Sequence, residues 1–221
     1  MGQVTYEQVK NSHEINAYIR MADESLKAMG YTEHSVAHVA RCAQTAYDIL
    51  HELEYDAHTC ELARIAGYMH DIGNVINRVD HAQSGAVMAF RILDKMGMDP
   101  DDIAEIICAI GNHDEATASP VSAVAAALIL ADKSDVRRSR VRNWDPTSQD
   151  IHDRVNYAVE HSSLDLDTEN KSITLSIVID TAICPVMDYF EIFLQRMILC
   201  RRAADFLELA FRLVINDTPI L

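Results

Sequence analysis

The chain has 221 residues, 49% apolar and 24% charged, with only 7 Gly and 5 Pro; this composition fits a helix-rich protein with a full-sized core and excludes a disordered or fibrous one. Its net charge of −15 repels nucleic acids and anionic membranes in general, so any phosphate-bearing substrate must be met by a local concentration of positive charge. The 5 cysteines, an odd number without C-x-x-C spacing, predict reduced, buried thiols and a cytoplasmic location; Met1 to Lys10 lacks a basic stretch followed by an apolar one, and no apolar run reaches the roughly 20 residues of a membrane span.

Helical periodicity dominates the first 140 or so positions. Ile15, Ile19, Ala22, Leu26 and Met29 line one face of a helix that Gly30 ends, and Val39, Cys42, Ala46, Ile49 and Leu53 line the next. Gly97 followed by Pro100 marks another boundary, and Pro120 precedes the helix carrying Ala123 to Asp132. These signals predict about six helices before Arg142. The grammar changes at the expected turn Asn143-Trp144-Asp145-Pro146. Ile173 to Ile179 alternates as a strand, with its partner expected within 156–167 through a hairpin at Thr168 to Lys171. From Pro185 to Val214 helical spacing returns, with Met187, Phe190, Phe193, Met197, Ala204, Leu207 and Phe211 near one face, read as core or subunit interface in a homodimer. The predicted fold is mainly α: a helical domain over 1–142 and a small α+β appendage over 143–221, a hairpin plus a long helix.

Chemistry concentrates in the helical part. His34, His38, His70, Asp71, His81, His113 and Asp132 supply imidazole and carboxylate without thiolate, a set suited to Mn²⁺ or Fe²⁺, and also to Co²⁺, Zn²⁺, Ni²⁺ or Mg²⁺, rather than to a structural zinc. There are more ligands than one tetrahedral ion uses. In Met69-His70-Asp71-Ile72-Gly73-Asn74, adjacent side chains about 100° apart on a helix can reach one centre only near a helix end, and Gly73 is read as supplying that end. An aspartate there can bridge two ions about 3.5 to 4 Å apart.

This segment resembles the HD-domain metal-dependent phosphohydrolase superfamily, among the members with a His-Asp-Ile-Gly signature, over roughly Thr32 to Arg142. The resemblance implies an HD-type helical bundle in which His38, His70, Asp71 and Asp132 bind one ion, with His81 and His113 added where two are bound; His34 is an alternative first ligand to His38. It implies attack on phosphorus by a metal-activated water, with Asp71 bridging, Asp132 completing the shell or orienting the water, and Lys133 neutralising phosphate charge. Next to it stands the densest basic run of the chain, Arg137, Arg138, Arg140 and Arg142, of which Arg137 and Arg138 are the candidates for phosphate contact. Asp135 is read as pairing along the helix with Lys133 or Arg138, and Asp114 and Glu115 as a solvated loop. The expected partner is a small phosphorylated, nucleotide-like substrate, a phosphomonoester or phosphodiester. Two rival functions share the ligand set: a non-catalytic metal or nucleotide sensor, and a di-iron oxygenase on the same scaffold.

Overall fold

The computed structural model describes residues 4–115, 117–142 and 151–221. The turn expected at Asn143 to Pro146, and with it the boundary between the two predicted parts, lies outside the described residues. Helices α1 (Tyr6–Lys10), α2 (His13–Ala28), α3 (Val36–Glu52), α4 (Ala57–Met69), α5 (His81–Lys95), α6 (Pro100–Gly111) and α7 (Ala123–Lys133) form the bundle, with short 3₁₀ turns at Ile72–Val75 and Arg138–Arg140. The sequence predicted six helices; the seventh is the five-residue α1, too short to show a period and defined by its Thr5–Gln8 capping box. Ser12, Ser35, Asp56, Asp99 and Ser122 each cap the helix that follows with a side-chain oxygen, which satisfies backbone N–H groups that have no partner inside the helix.

α7 lies at the centre, with every residue from Val124 to Ala131 buried, so it has no polar face to show a helical stripe. α3 and α4 pack on each other unusually closely. A Cβ added at Gly67 of α4 would fall 2.7 Å from the Cα of Ala43 on α3, so only glycine permits this crossing, and the crossing brings the end of α4 beside the start of α3.

The second part adds α8 (Ile151–Ala158), β1 (Val159–Asp167), β2 (Ser172–Ile179), α9 (Val186–Phe206), β3 (Ala210–Ile215) and β4 (Thr218–Pro219). The β1–β2 hairpin forms with Leu164 opposite Leu175. The sheet order is β1-β2-β3-β4, with β2 and β3 parallel across α9 and the other pairs antiparallel. β3 corrects the expectation of helix through Val214. α9 ends without glycine, the chain turns at Glu208 with φ of 59°, and Phe211, Leu213 and Ile215 then alternate inward, a period of two that a short segment hides beside a long helix. Met187 points away from the expected stripe and is 74% exposed, whereas Phe193, Met197 and Ala204 are buried. One apolar core runs from α2 through α7 to α9 and the sheet. Cys42, Cys60, Cys184 and Cys200 are buried free thiols and Cys108 is exposed. Among the described residues no helix is long and apolar enough to cross a membrane.

Gly73 plays a different part from the helix stop expected of it. α4 ends at Met69 with His70 as its C-cap, and Gly73 sits within the 3₁₀ turn. A Cβ there would fall 2.0 Å from the carbonyl oxygen of His81 and 2.5 Å from the nitrogen of Gly85. The glycine therefore sets the separation of the 3₁₀ turn from α5. Gly73→Ala is expected to destabilise the protein by about 2–3 kcal/mol through backbone displacement, read as a lower urea midpoint; an unchanged midpoint would show that α5 can withdraw without cost.

Candidate metal centre

Five helix ends converge on one point. His38 lies in the first turn of α3, His70 caps α4, Asp71 follows it, His81 opens α5, His113 follows α6, and Asp132 stands one residue before the end of α7. The four imidazoles and Asp71 are buried, as are Asn74, Lys133, Asp135 and Arg140. The spacing along the sequence is irregular because each residue is delivered by a different helix.

The donors face one another. His38 Nε2 lies 3.6 Å from Asp71 Oδ2 and 3.4 Å from Asp132 Oδ1, and His70 Nε2 lies 3.3 Å and 3.7 Å from the same two oxygens. Asp71 Oδ1 faces the other way, 3.6 Å from His81 Nε2, which is 3.2 Å from His113 Nε2. One carboxylate thus presents one oxygen to His38 and His70 and the other to His81.

The far sides of the rings fix which nitrogen is free. Nδ1 of His70, His81 and His113 lies 2.8, 3.1 and 2.6 Å from the carbonyl oxygens of Gly67, Arg78 and Ile110. A carbonyl only accepts, so each Nδ1 carries a proton and donates it, and in the neutral ring each Nε2 turns a lone pair inward. His38 makes the corresponding bond to Asp135 Oδ2 at 2.7 Å. Such outer bonds orient metal-binding histidines and raise their basicity.

Burial works against the protonated form of His70, yet the adjacent carboxylates of Asp71 and Asp132 outweigh it and push the imidazole up to about 10. Burial alone would raise Asp71 and Asp132, but His70 beside the first and Lys133 beside the second hold both well below the usual carboxylate range. Burial pushes His81 and His113 down, towards the neutral ring. The centre therefore attracts positive charge strongly. His70 Nε2 and Asp71 Oδ2 are both buried and both without a hydrogen bond, an arrangement that costs free energy unless a cation shares them. Bond lengths of about 2.0–2.2 Å place the ligands of one ion about 3–3.5 Å apart, close to the separations seen. The chemistry of the donors, their orphaned atoms and their spacing all fit a divalent ion.

The HD-domain family model matches residues 35–137. The crystal structure of a predicted HD superfamily hydrolase from an uncultured Thermotogales bacterium is similar at 29% identity, covering 56% of this chain and 67% of the other, with a TM-score of 0.45. No curated protein matches the chain. HD domains bind divalent metals, and the matched segment brings His38, His70 and Asp132, with the thiol of Cys42, to within 4.8 Å of one another, and His70, Asp71 and His113 likewise.

His34, the alternative first ligand, stands outside this set. Its ring meets that of His38 edge-on at 5.6 Å, and its Nδ1 is bound to Thr32 O. Lys133 is buried between Asp132, 2.7 Å away, and Glu115, 3.1 Å away, so its charge is already taken up by two carboxylates. Glu115, expected in a solvated loop, carries this network on to Arg196 of α9 at 2.5 Å. Nor do the expected phosphate contacts Arg137 and Arg138 gather at the centre. Arg137 pairs with Asp135 at 2.6 Å, and Arg138 donates to Tyr157 O and lies 4.9 Å from that ring; both line a surface depression with Glu160 and His161.

Three residues that the sequence reading passed over take part. Asp135, expected to pair along its own helix, lies beyond the end of α7 and orients His38 from across the bundle. Asn74 donates to Asp71 Oδ1 at 2.8 Å. Cys42 sits 3.7 Å from both ring nitrogens of His38, where one turn of α3 separates the two residues; the spacing i, i+4 was the available signal. Asp135→Asn should leave the fold intact and weaken Mn²⁺ binding about 10- to 100-fold, measured by competition with a chelator; full affinity in this variant would show that His38 needs no outer partner.

Proposed function

We propose that the chain is a metal-dependent phosphohydrolase that cleaves a small phosphomonoester or phosphodiester, nucleotide-like in size, at a two-metal site. The HD domain supports a metal-dependent hydrolase in general. The observation that carries the finer reading is the pair of outward oxygens of Asp71, one toward His38 and His70 and the other toward His81, which suits a bridging carboxylate. On this reading His38, His70, Asp71 and Asp132 hold one ion, and Asp71, His81 and His113 the second.

Ions held there would supply a water of lowered pKa and draw charge from the phosphoryl oxygens. The protein's own groups do the rest. Asp135 and the three backbone carbonyls keep the imidazoles facing inward, Asn74 fixes the rotation of the Asp71 carboxylate, and Lys133 balances the charge of Asp132 while the site is buried. Asp132 Oδ2, on the side away from the imidazoles, accepts from the Lys133 ammonium, which also pairs with Glu115, so Asp132 stays a carboxylate able to orient a water beside the ions. A di-iron oxygenase could share the ligands, but it would not need the arginine-lined cleft beside them, which includes Arg78, Arg140 and Arg196.

The test is a panel of nucleotides, sugar phosphates and diesters with Mn²⁺- or Fe²⁺-loaded protein. Asp71→Ala should lose bound metal and turnover together, with activity down at least about 10³-fold. Turnover retained in that variant, or none by the wild type on any ester, would overturn the reading.

A further inference from the structure

A cleft of about 370 Å³ opens beside the centre, lined among others by Tyr31, His34, Arg78, Arg140, Phe193 and Arg196. Its far wall comes from α8 and α9, outside the residues the HD domain covers. None of Lys133, Arg137 and Arg138 lines it. In a chain of net charge −15, three arginines against one carboxylate, Asp153, in one depression form a local excess of positive charge.

The three differ in how their charge is met. Arg140 is buried, with Nη1 donating to Asp135 O and 3.8 Å from Asp135 Oδ2. Arg196 is paired with Glu115. Arg78 is half-buried and, among the described residues, pairs with no carboxylate: its Nη1 lies 3.3 Å from Asn74 Oδ1 and 3.3 Å from His81 Nε2, and its guanidinium is 5.9 Å from the Tyr31 ring. A guanidinium partly withdrawn from water beside a centre that itself takes cations is electrostatically unfavourable unless an anion lies between them. Arginine's planar fork suits an oxyanion of phosphate type.

From this we propose that Arg78 is a substrate-binding residue that donates to a phosphate-type oxyanion between it and the metal centre, while the rest of a small ligand occupies the cleft walled by α8 and α9. The volume sits at the lower end of ligand pockets, about 300–1,000 Å³, which selects a small molecule and excludes a polymer duplex. This inference rests on the phosphohydrolase reading for the identity of the anion, and on the geometry alone for the residue.

Inorganic phosphate is the probe. Its affinity for Mn²⁺-loaded wild type, Arg78→Ala, Arg78→Gln and Arg78→Lys is measured by calorimetry, alongside metal content and, for any ester found to be a substrate, KM and kcat. Arg78→Ala and Arg78→Gln should keep their metal and lose about 10- to 100-fold in phosphate affinity, with Arg78→Lys recovering part of it because it restores the charge without the fork. Should Arg78→Ala fail to fold, Arg78→Gln, which can still donate to Asn74, carries the same comparison. Wild-type affinity in the neutral variants would overturn the proposal, and so would loss of metal in them, since Arg78 would then act only by steadying Asn74 and Asp71. If wild type cleaves no ester but phosphate affinity falls as stated, the hydrolase reading fails and the anion contact stands; if esters are cleaved and the neutral variants bind phosphate and turn over as wild type does, the reverse holds.

Discussion

Two carboxylate oxygens, from Asp71 and Asp132, are held within 3.7 Å of the same two imidazole nitrogens in the interior of a helical bundle, and the rest of the architecture serves that concentration of charge. Carboxylates out of water need a cation. Lys133 supplies one to Asp132, but among the described residues no side chain supplies one to the Oδ2 of Asp71 by hydrogen bond. The raised pKa of His70 is the same fact seen from the ring: where carboxylates outnumber cations, the imidazole takes up a proton. A divalent ion meets this demand while leaving the imidazoles neutral, with their one proton on the Nδ1 that the carbonyl partners of His70, His81 and His113 already hold.

Placing five helix ends at one point is costly, because helix ends carry unsatisfied backbone groups and loops must leave room for side chains. Here two close approaches make it feasible. Gly67 lets α4 settle on Ala43 of α3, which puts His70 beside His38, and Gly73 lets the 3₁₀ turn settle on the start of α5, which puts Asp71 beside His81. The Nδ1 bonds then reuse carbonyls of Gly67 and Ile110, from the last turns of α4 and α6, so that helix C-termini satisfy their own orphan groups and orient the ligands in one contact.

Much of this was legible in the sequence, and the limits were physical. The ligand types and their helix-end positions could be read because imidazole and carboxylate at the ends of apolar-periodic segments have few structural uses. Helix boundaries were legible from Gly30, Gly97, Pro100 and Pro120, whose backbone preferences act locally, whereas the caps Ser12, Ser35, Asp99 and Ser122 were not singled out. What depended on distant partners was not: the pairing of Asp135 with His38 spans 97 positions, and nothing local distinguishes it from an i, i+3 ion pair. The strand Ala210–Ile215 escaped for a similar reason, since its pairing with β2 is long-range and its six residues sit against a helix of 21.

The arginine run shows that density of charge along the chain does not fix position relative to the centre. Density along the chain suggested Arg137 and Arg138 as phosphate contacts, yet the 3₁₀ turn at Arg138–Arg140 turns them toward Asp135 and the carbonyl of Tyr157, where they brace the junction with α8. The isolated Arg78 ends beside His81 instead, because it lies in the loop between the 3₁₀ turn and α5 and its backbone carbonyl is itself the partner of the His81 ring. Position relative to the centre, rather than local abundance, decides which cation can meet a substrate. The same logic gives the C-terminal part a role: through Arg196, Glu115 and Lys133 it is tied by ion pairs to Asp132, so the wall of the cleft and the charge of the centre are held by one network.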